Sequence, residues 1–548
     1  MIRILRLKQE GNFDETLYST AFQEIFFTMP NRNTDELFQL IQSLSKSEKR
    51  IFKLHVKRVS GSDDLKILAL FDALDSMSEY DEEKLLRKNS SIQKQQLSNM
   101  KAYLYKQILS SLTHSSPDIE TQLSEQLIYA RLLYNKGLYM QALKILDKVK
   151  SLAKANNQST YRLQALIFEK KIEAMHITRS MEGRAEKLSK ESCEVNNRVF
   201  LLSNLAGFAL QLYSWYIQHG HARDEKDEKA LQEFFYANLP VCNLREMDFY
   251  ERLYYYQAYT WYTFILQDLL GFYRYSQKWV TLFELNPDMK NIESIQYVKG
   301  LHNLSTAHFV LSNYKKFEEV LHQFEVFAAS DFGKKDANTQ IQTFIYLQIA
   351  QLNKHFMHGT FSKGLSLVPY LEEKIEEYKL HIDTHRILIF YYKIACLYFG
   401  SGDNAKAIEY LNLIINRKPD LRTDLHCYSR LLHLIAHYEI GNYDLVEYLI
   451  KSVYRFMAKM KNLNMVEEEI FKFLRKSFSL TPAKIVAEFK PLKEKLEALK
   501  GNPLATRSFM YLDIIGWLES KIENVPVQQI TRNKYLVSKK NRLPVDSY

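Results

Sequence analysis

The stretch Tyr398-Phe399-Gly400-Ser401-Gly402-Asp403-Asn404-Ala405-Lys406-Ala407-Ile408-Glu409-Tyr410-Leu411 decides the fold. An apolar helical run stops at Gly-Ser-Gly-Asp, and a second begins at once with the small residues Ala405 and Ala407. Glycine closes a helix in the left-handed conformation without a Cβ penalty, so the stretch predicts two antiparallel helices joined by a turn of a few residues. Ile414 extends the second apolar face and Pro419 marks its stop.

Working outward, the same grammar returns. Residues 134 to 146 read Tyr-Asn-Lys-Gly-Leu-Tyr-Met-Gln-Ala-Leu-Lys-Ile-Leu, with Val149 one turn on. Weaker copies surround Gly359-Thr360-Phe361 and Gly441-Asn442-Tyr443, and a degenerate one begins Ser312-Asn313-Tyr314. The turn glycines lie 43 residues apart from Gly359 to Gly402 and 39 from Gly402 to Gly441. One such hairpin cannot bury its apolar face alone, so neighbours must stack and cap one another. These strings resemble tetratricopeptide (TPR) repeats, with helices lengthened beyond the usual ~34-residue unit. The resemblance covers roughly half of residues 120 to 460. It implies an all-α, irregular TPR-like α-solenoid, a right-handed superhelix of helical hairpins with the first helices forming its concave wall. It points to bacterial TPR-like proteins of unassigned function, and hence to scaffolding or adaptor work. Between 161 and 290 the turn signal fades, although Trp261-Tyr262 through Trp279 to Leu285-Asn286-Pro287 reads as another, aromatic hairpin.

Composition agrees with helix. Sixteen Gly and 11 Pro in 548 residues are well below the average shares of about 7% and about 5%, too few for a turn-rich β fold. Lys plus Arg total 74 against 64 Asp plus Glu, a net +10 that is modest for this length. Cys193, Cys242, Cys396 and Cys427 form no CxxC pair, which predicts buried thiols in a reducing cytosol. No window reads as a signal peptide or a membrane span, so a cytoplasmic location without membrane contact is expected. A clear helix signal begins only after Met29-Pro30, and Met29 is expected to be the true start.

The domain reading is a leader over 1–28, disordered or not translated; an N-terminal helical domain over 29–116; TPR-like repeats over 117–460; a C-terminal helical cap over 461–530; and a basic disordered tail over 531–548. Within the N-terminal domain Ser45-Lys46-Ser47-Glu48 matches a capping box, predicting a helix from Lys46. Another predicted helix, from Gln93 to Leu112, carries Leu97, Met100, Leu104, Ile108 and Leu112 on one face. Ser115-Ser116-Pro117-Asp118 is the best boundary.

Catalytic and metal strings are missing: no GxxxxGK[ST], GxGxxG or GxSxG occurs. His433 and His437 stand four apart, but Leu434 replaces the Glu of HExxH, and packing accounts for them. His381, Asp383 and His385, like His355 with His358 and His219 with His221, lack a convincing further ligand. No enzyme activity, metal or cofactor is expected. If the TPR register holds, Arg131, Tyr134, Asn353, Phe356, Tyr392, Phe399, Tyr428 and Tyr438 face the groove, a mixture of aromatic anchors and polar groups suited to a protein or peptide segment. The alternative is a cytoplasmic DNA-binding regulator. A helix-turn-helix over Asp81–Leu112 would offer Lys94, Asn99 and Lys101 to nucleic acid, while Lys49, Arg50 and Lys53 gripped the backbone and the repeats acted as sensor.

Overall fold

A computed structural model of the chain describes residues 36–59, 64–88, 94–115, 118–176, 183–379, 381–419, 422–461, 463–479, 482–500, 508–509 and 513–540. The leader, with its Met29 start, and the last eight residues lie outside them. Among the described residues the chain is helical, with no strand. It divides into two units, Met1–Thr121 and Gln122–Tyr548.

The first unit holds α1 (Glu36–Ser43), α2 (Lys46–Val59), α3 (Asp64–Asp75), α4 (Glu82–Lys88) and α5 (Lys94–Ser115). The capping box forms as the sequence predicts. Glu48 N–H donates to Ser45 Oγ at 3.2 Å, and Ser45 N–H donates to Glu48 Oε2 at 2.7 Å. Leu97, Leu104 and Ile108 are buried on the predicted face of α5, against Ile41, Leu70 and the Phe52–Phe71 ring pair. The Gln42 amide closes α3 from outside, donating to the carbonyls of Leu74 and Met77, both at 3.2 Å.

The helix α6 (Ile119–Asn135) begins at the boundary and enters the second unit. There follow α7 (Tyr139–Ala155), α8 (Ser159–His176), the 36-residue α9 (Arg184–His219), α10 (Glu225–Asn238), α11 (Phe249–Ile265), α12 (Leu269–Glu284) and the short α13 (Met289–Ile292). Next come α14 (Ser294–Val310), α15 (Tyr314–Ala329), α16 (Ala337–His358), α17 (Phe361–Gly364), α18 (Val368–Glu377), α19 (Thr384–Ser401), α20 (Asn404–Ile415), α21 (Thr423–Glu439) and α22 (Tyr443–Lys459). The series closes with α23 (Met465–Ser477), α24 (Pro482–Leu499), α25 (Ile514–Glu523) and α26 (Val527–Lys540). Packing runs mainly between successive helices, so the unit is an array of stacked hairpins.

One turn geometry recurs along the array. At Gly402 the backbone is left-handed, φ +97°, and Asp403 N–H reaches back to the Tyr398 carbonyl at 3.0 Å. Leu138 bonds Leu133, Asn313 bonds His308, Thr360 bonds His355 and Asn442 bonds His437 in the same way. Each bond satisfies a carbonyl that the helix end would leave orphaned. The missing turn of the middle region has this bond too: Asp268 N–H donates to the Thr263 carbonyl at 2.9 Å, with Gln267 rather than glycine at positive φ.

Two features depart from the sequence reading. The stretch from Thr531, expected to be a disordered tail, is helical to Lys540 as part of α26. That helix packs on α16 and α19. Its backbone lies so close to Gly359 that a Cβ there would meet Arg532 N at 2.3 Å. Tyr535 stacks on His358 at 4.2 Å and donates to Glu318, so a short basic segment gains aromatic burial the composition hides. The cysteines are free, as expected, but only Cys427 is fully buried, and Cys193 is exposed on α9.

Candidate functional site on the first-helix wall

The first helices of successive hairpins, α11, α14, α16, α19 and α21, touch through polar and aromatic side chains. The Gln257 amide donates to Gln296 Oε1 at 2.9 Å. His302 packs its ring 4.7 Å from that of Tyr346. Arg386 donates to the Tyr346 hydroxyl at 2.7 Å while pairing with Asp383, whose other oxygen caps the N-terminus of α19. Lys393 donates to Asn353 Oδ1 at 2.6 Å, with its ammonium 5.3 Å from the Phe356 ring and 5.8 Å from that of Phe309. The last step is Arg422, which forks onto Asp424 at 2.9 Å per arm and reaches His385.

The long helix α9 comes across to this wall. Tyr216 sits under the Arg422 guanidinium, 5.5 Å from ring to cation, and stacks on Trp261. Tyr213 packs 4.9 Å from Trp261 and feels the charges of Arg386 and Asp383. Burial dominates the electrostatics. Lys393 is lowered to about 8 by desolvation, and Lys299 is lowered by desolvation and by the like charge of Arg386. His302 falls to about 3 through burial and then the cations Lys393 and Arg386, so its imidazole is neutral at pH 7.

The predicted groove residues fall into two groups. Asn353 and Phe356 stand on the wall, and Arg131 is exposed on α6 beside half-buried Tyr134, which packs against Tyr139, Phe168 and His176. Tyr392, Phe399, Tyr428 and Tyr438, expected to face the groove, lie instead in the core at 2–9% exposure. The reason is angular. One residue advances a helix by ~100°, so a one-residue error in the α19 register presents Tyr392 and Phe399 where Arg386 and Lys393 stand. Lys299, His302, Tyr346, Arg386 and Lys393 went unread; their signal was the i,i+3 pair Lys299/His302 and the i,i+7 pair Arg386/Lys393.

In the first unit, Lys49 pairs with Asp75 and Lys53 with Asp72, both at 2.6 Å, and Lys101 lies 3.8 Å from Glu82. Arg50, Lys94 and Asn99 are exposed. His433 and His437 pack ring to ring, and Asn442 holds the His437 Nδ1 at 3.0 Å. No group of three or more His, Cys, Asp or Glu side chains placed to hold a metal occurs among the described residues. No described helix is long and apolar enough to cross a membrane. The chain matches no protein-family model and no curated protein.

Proposed function

We propose that the chain is a non-catalytic adaptor of the TPR-like class, in which successive first helices form the concave wall of a right-handed superhelix and the α6–α8 end of that wall docks a segment of a partner protein. The observation that carries this reading is the apolar surface of the first two hairpins. Ile128 and Leu132, one turn apart on α6, are each 56% exposed, as is Ile167 on the neighbouring α8, and Met175 beyond it is 68% exposed. The helices α6 and α8 lie side by side, joined by the Ser124–Tyr161 hydrogen bond and the Tyr134–Phe168 edge contact. Apolar side chains spaced i,i+4 on an exposed helix suit an amphipathic helical segment, with Arg131 and Tyr134 as polar and aromatic neighbours. Isolated exposed apolar residues are ordinary on a soluble surface; several on two adjoining helices favour docking.

The DNA-binding alternative draws less support, since Lys49, Lys53 and Lys101 are already engaged with carboxylates and would exchange those for phosphates. The adaptor reading is tested by affinity purification of the full chain from its own source lysate, beside Ile128→Asp/Leu132→Asp. A stoichiometric protein that survives nuclease and is lost from the variant, with the circular dichroism of the variant unchanged, supports it. Equal capture by both forms, or capture of nucleic acid alone, overturns it.

A further inference from the structure

Two groups of buried charge in the second unit are closed on themselves. Arg422 and Asp424 form a bidentate pair at 5% and 4% side-chain exposure. Lys150 and Arg184 share the fully buried carboxylate of Glu169. The wall between α14, α16 and α19 is different. It carries three cations, Lys299, Arg386 and Lys393, and among the described residues their ion pairing is confined to Arg386 with Asp383. Lys393 is held by a neutral amide and two phenyl faces. Lys299 forms no ion pair among the described residues. His302, whose ring packs on that of Tyr346, the acceptor of the Arg386 hydrogen bond, has a buried Nδ1 with no hydrogen-bond partner.

An ammonium withdrawn from water without a counter-charge destabilises the fold, and an unpartnered buried ring nitrogen adds to that cost. Such a set of donors is suited to an anionic group. We propose that Lys299, His302, Tyr346, Arg386 and Lys393 form a binding site for a small molecule bearing an oxyanion, carboxylate or phosphate. The lysines supply charge, and the neutral imidazole supplies one N–H. The Tyr346 hydroxyl, which accepts from Arg386, keeps its own proton to donate. A small molecule fits better than a polypeptide. Tyr213 and Tyr216 of α9 approach the same wall, and a strand or helix laid through it would have to displace the end of that helix.

This inference does not rest on the adaptor reading, whose residues lie on α6 and α8. The test uses the full chain in low-salt buffer at pH 7, with citrate and inorganic phosphate as separate probes and sodium chloride at matched ionic strength as control. Thermal unfolding and titration calorimetry are read for wild type, for Lys299→Met/Lys393→Met and for the milder Lys299→Gln. One probe is expected to raise the wild-type Tm where chloride does not, citrate marking a carboxylate ligand and phosphate a phosphoryl one. The double variant is expected to bind at least ten-fold more weakly while its own Tm stays level or rises, because an uncompensated charge has gone. If the double variant does not fold, Lys299→Gln must show weakened binding. No shift in wild type with either probe, an undiminished shift in the variants, or binding of a polyglutamate peptide but of neither small anion overturns the proposal.

Discussion

Lys393 shows how a single side chain can oppose the fold that contains it. Its ammonium lies 5.8 Å from the Phe309 ring centre and 5.3 Å from that of Phe356 and donates to the Asn353 oxygen, and burial disfavours the protonated form, so the pKa falls to about 8 from an unfolded value near 10.4. Between those values the unfolded chain holds a proton that the folded chain has lost, so stability rises as pH goes from 8 to 10. We expect Lys393→Met to remove most of that rise, measured as the difference in unfolding free energy between pH 7.5 and 10; an identical rise in the variant would contradict it. The adjoining Tyr392 and Phe399 act oppositely, at 6% and 9% exposure within the largest apolar cluster. Truncating either to Ala should cost about 3–5 kcal/mol in urea unfolding, where a groove-facing residue would cost under about 1 kcal/mol. That the face of α19 was misread follows from its composition: Phe390, Tyr391, Tyr392, Tyr398 and Phe399 ring much of the helix with aromatics, and periodicity cannot orient a helix that is apolar on most sides.

The elements are set by their ends. Gly402 has open space around its Cβ position and needs glycine only for its φ of +97°. Gly359 needs it twice, for its φ of +59° and for the backbone of α26 pressed against it. Gly402→Ala should therefore cost about 1–2 kcal/mol through the backbone alone. Gly359→Ala should cost more and in a different place, releasing α26 before the array melts. Hydrogen exchange over residues 527–540 checks this: rapid exchange there with slow exchange retained in α19 is the expected pattern, and unchanged protection of α26 would refute it. Turns with glycine were legible from the chain, whereas the turn at Gln267 was not. A non-glycine left-handed residue is an uncommon solution, sustained here because Gln267 is buried and its amide donates to the Ala222 carbonyl, 45 residues back in the chain. That long-range bond has no local trace in the sequence.

At the scale of the second unit, four histidines are held out of water. His302 and His385 lie on the wall, and His308 and His433 elsewhere in the first-helix row; each is lowered to about 3 or 4 by burial first, and after it by neighbouring cations or, for His433, by His437 and then Arg430. All four are neutral in the fold at pH values where the unfolded chain, near 6.5, takes up protons. Their contribution to stability is complete above pH 7 and lost progressively as pH falls toward 4. A fall in Tm between pH 7 and 5, reduced by His302→Phe and by His433→Gln, is the expected result; a flat Tm over that range would show that the rings stay hydrated.

What the sequence determined by itself is the helical class, the hairpin grammar and the principal turns, because these depend on contacts within four or five residues: glycine at φ > 0, small residues after it, capping boxes, apolar periodicity. What only the tertiary structure decided is which faces of those helices meet. The return of α26 onto Gly359, the reach of α9 to Arg422 across more than 200 residues, and the meeting of Lys393 with Phe309 and Asn353 are sums of long-range packing. A one-residue rotation separates a core tyrosine from a wall lysine, and that choice is made by the apolar area the neighbouring helices can cover together, which no single stretch of sequence records.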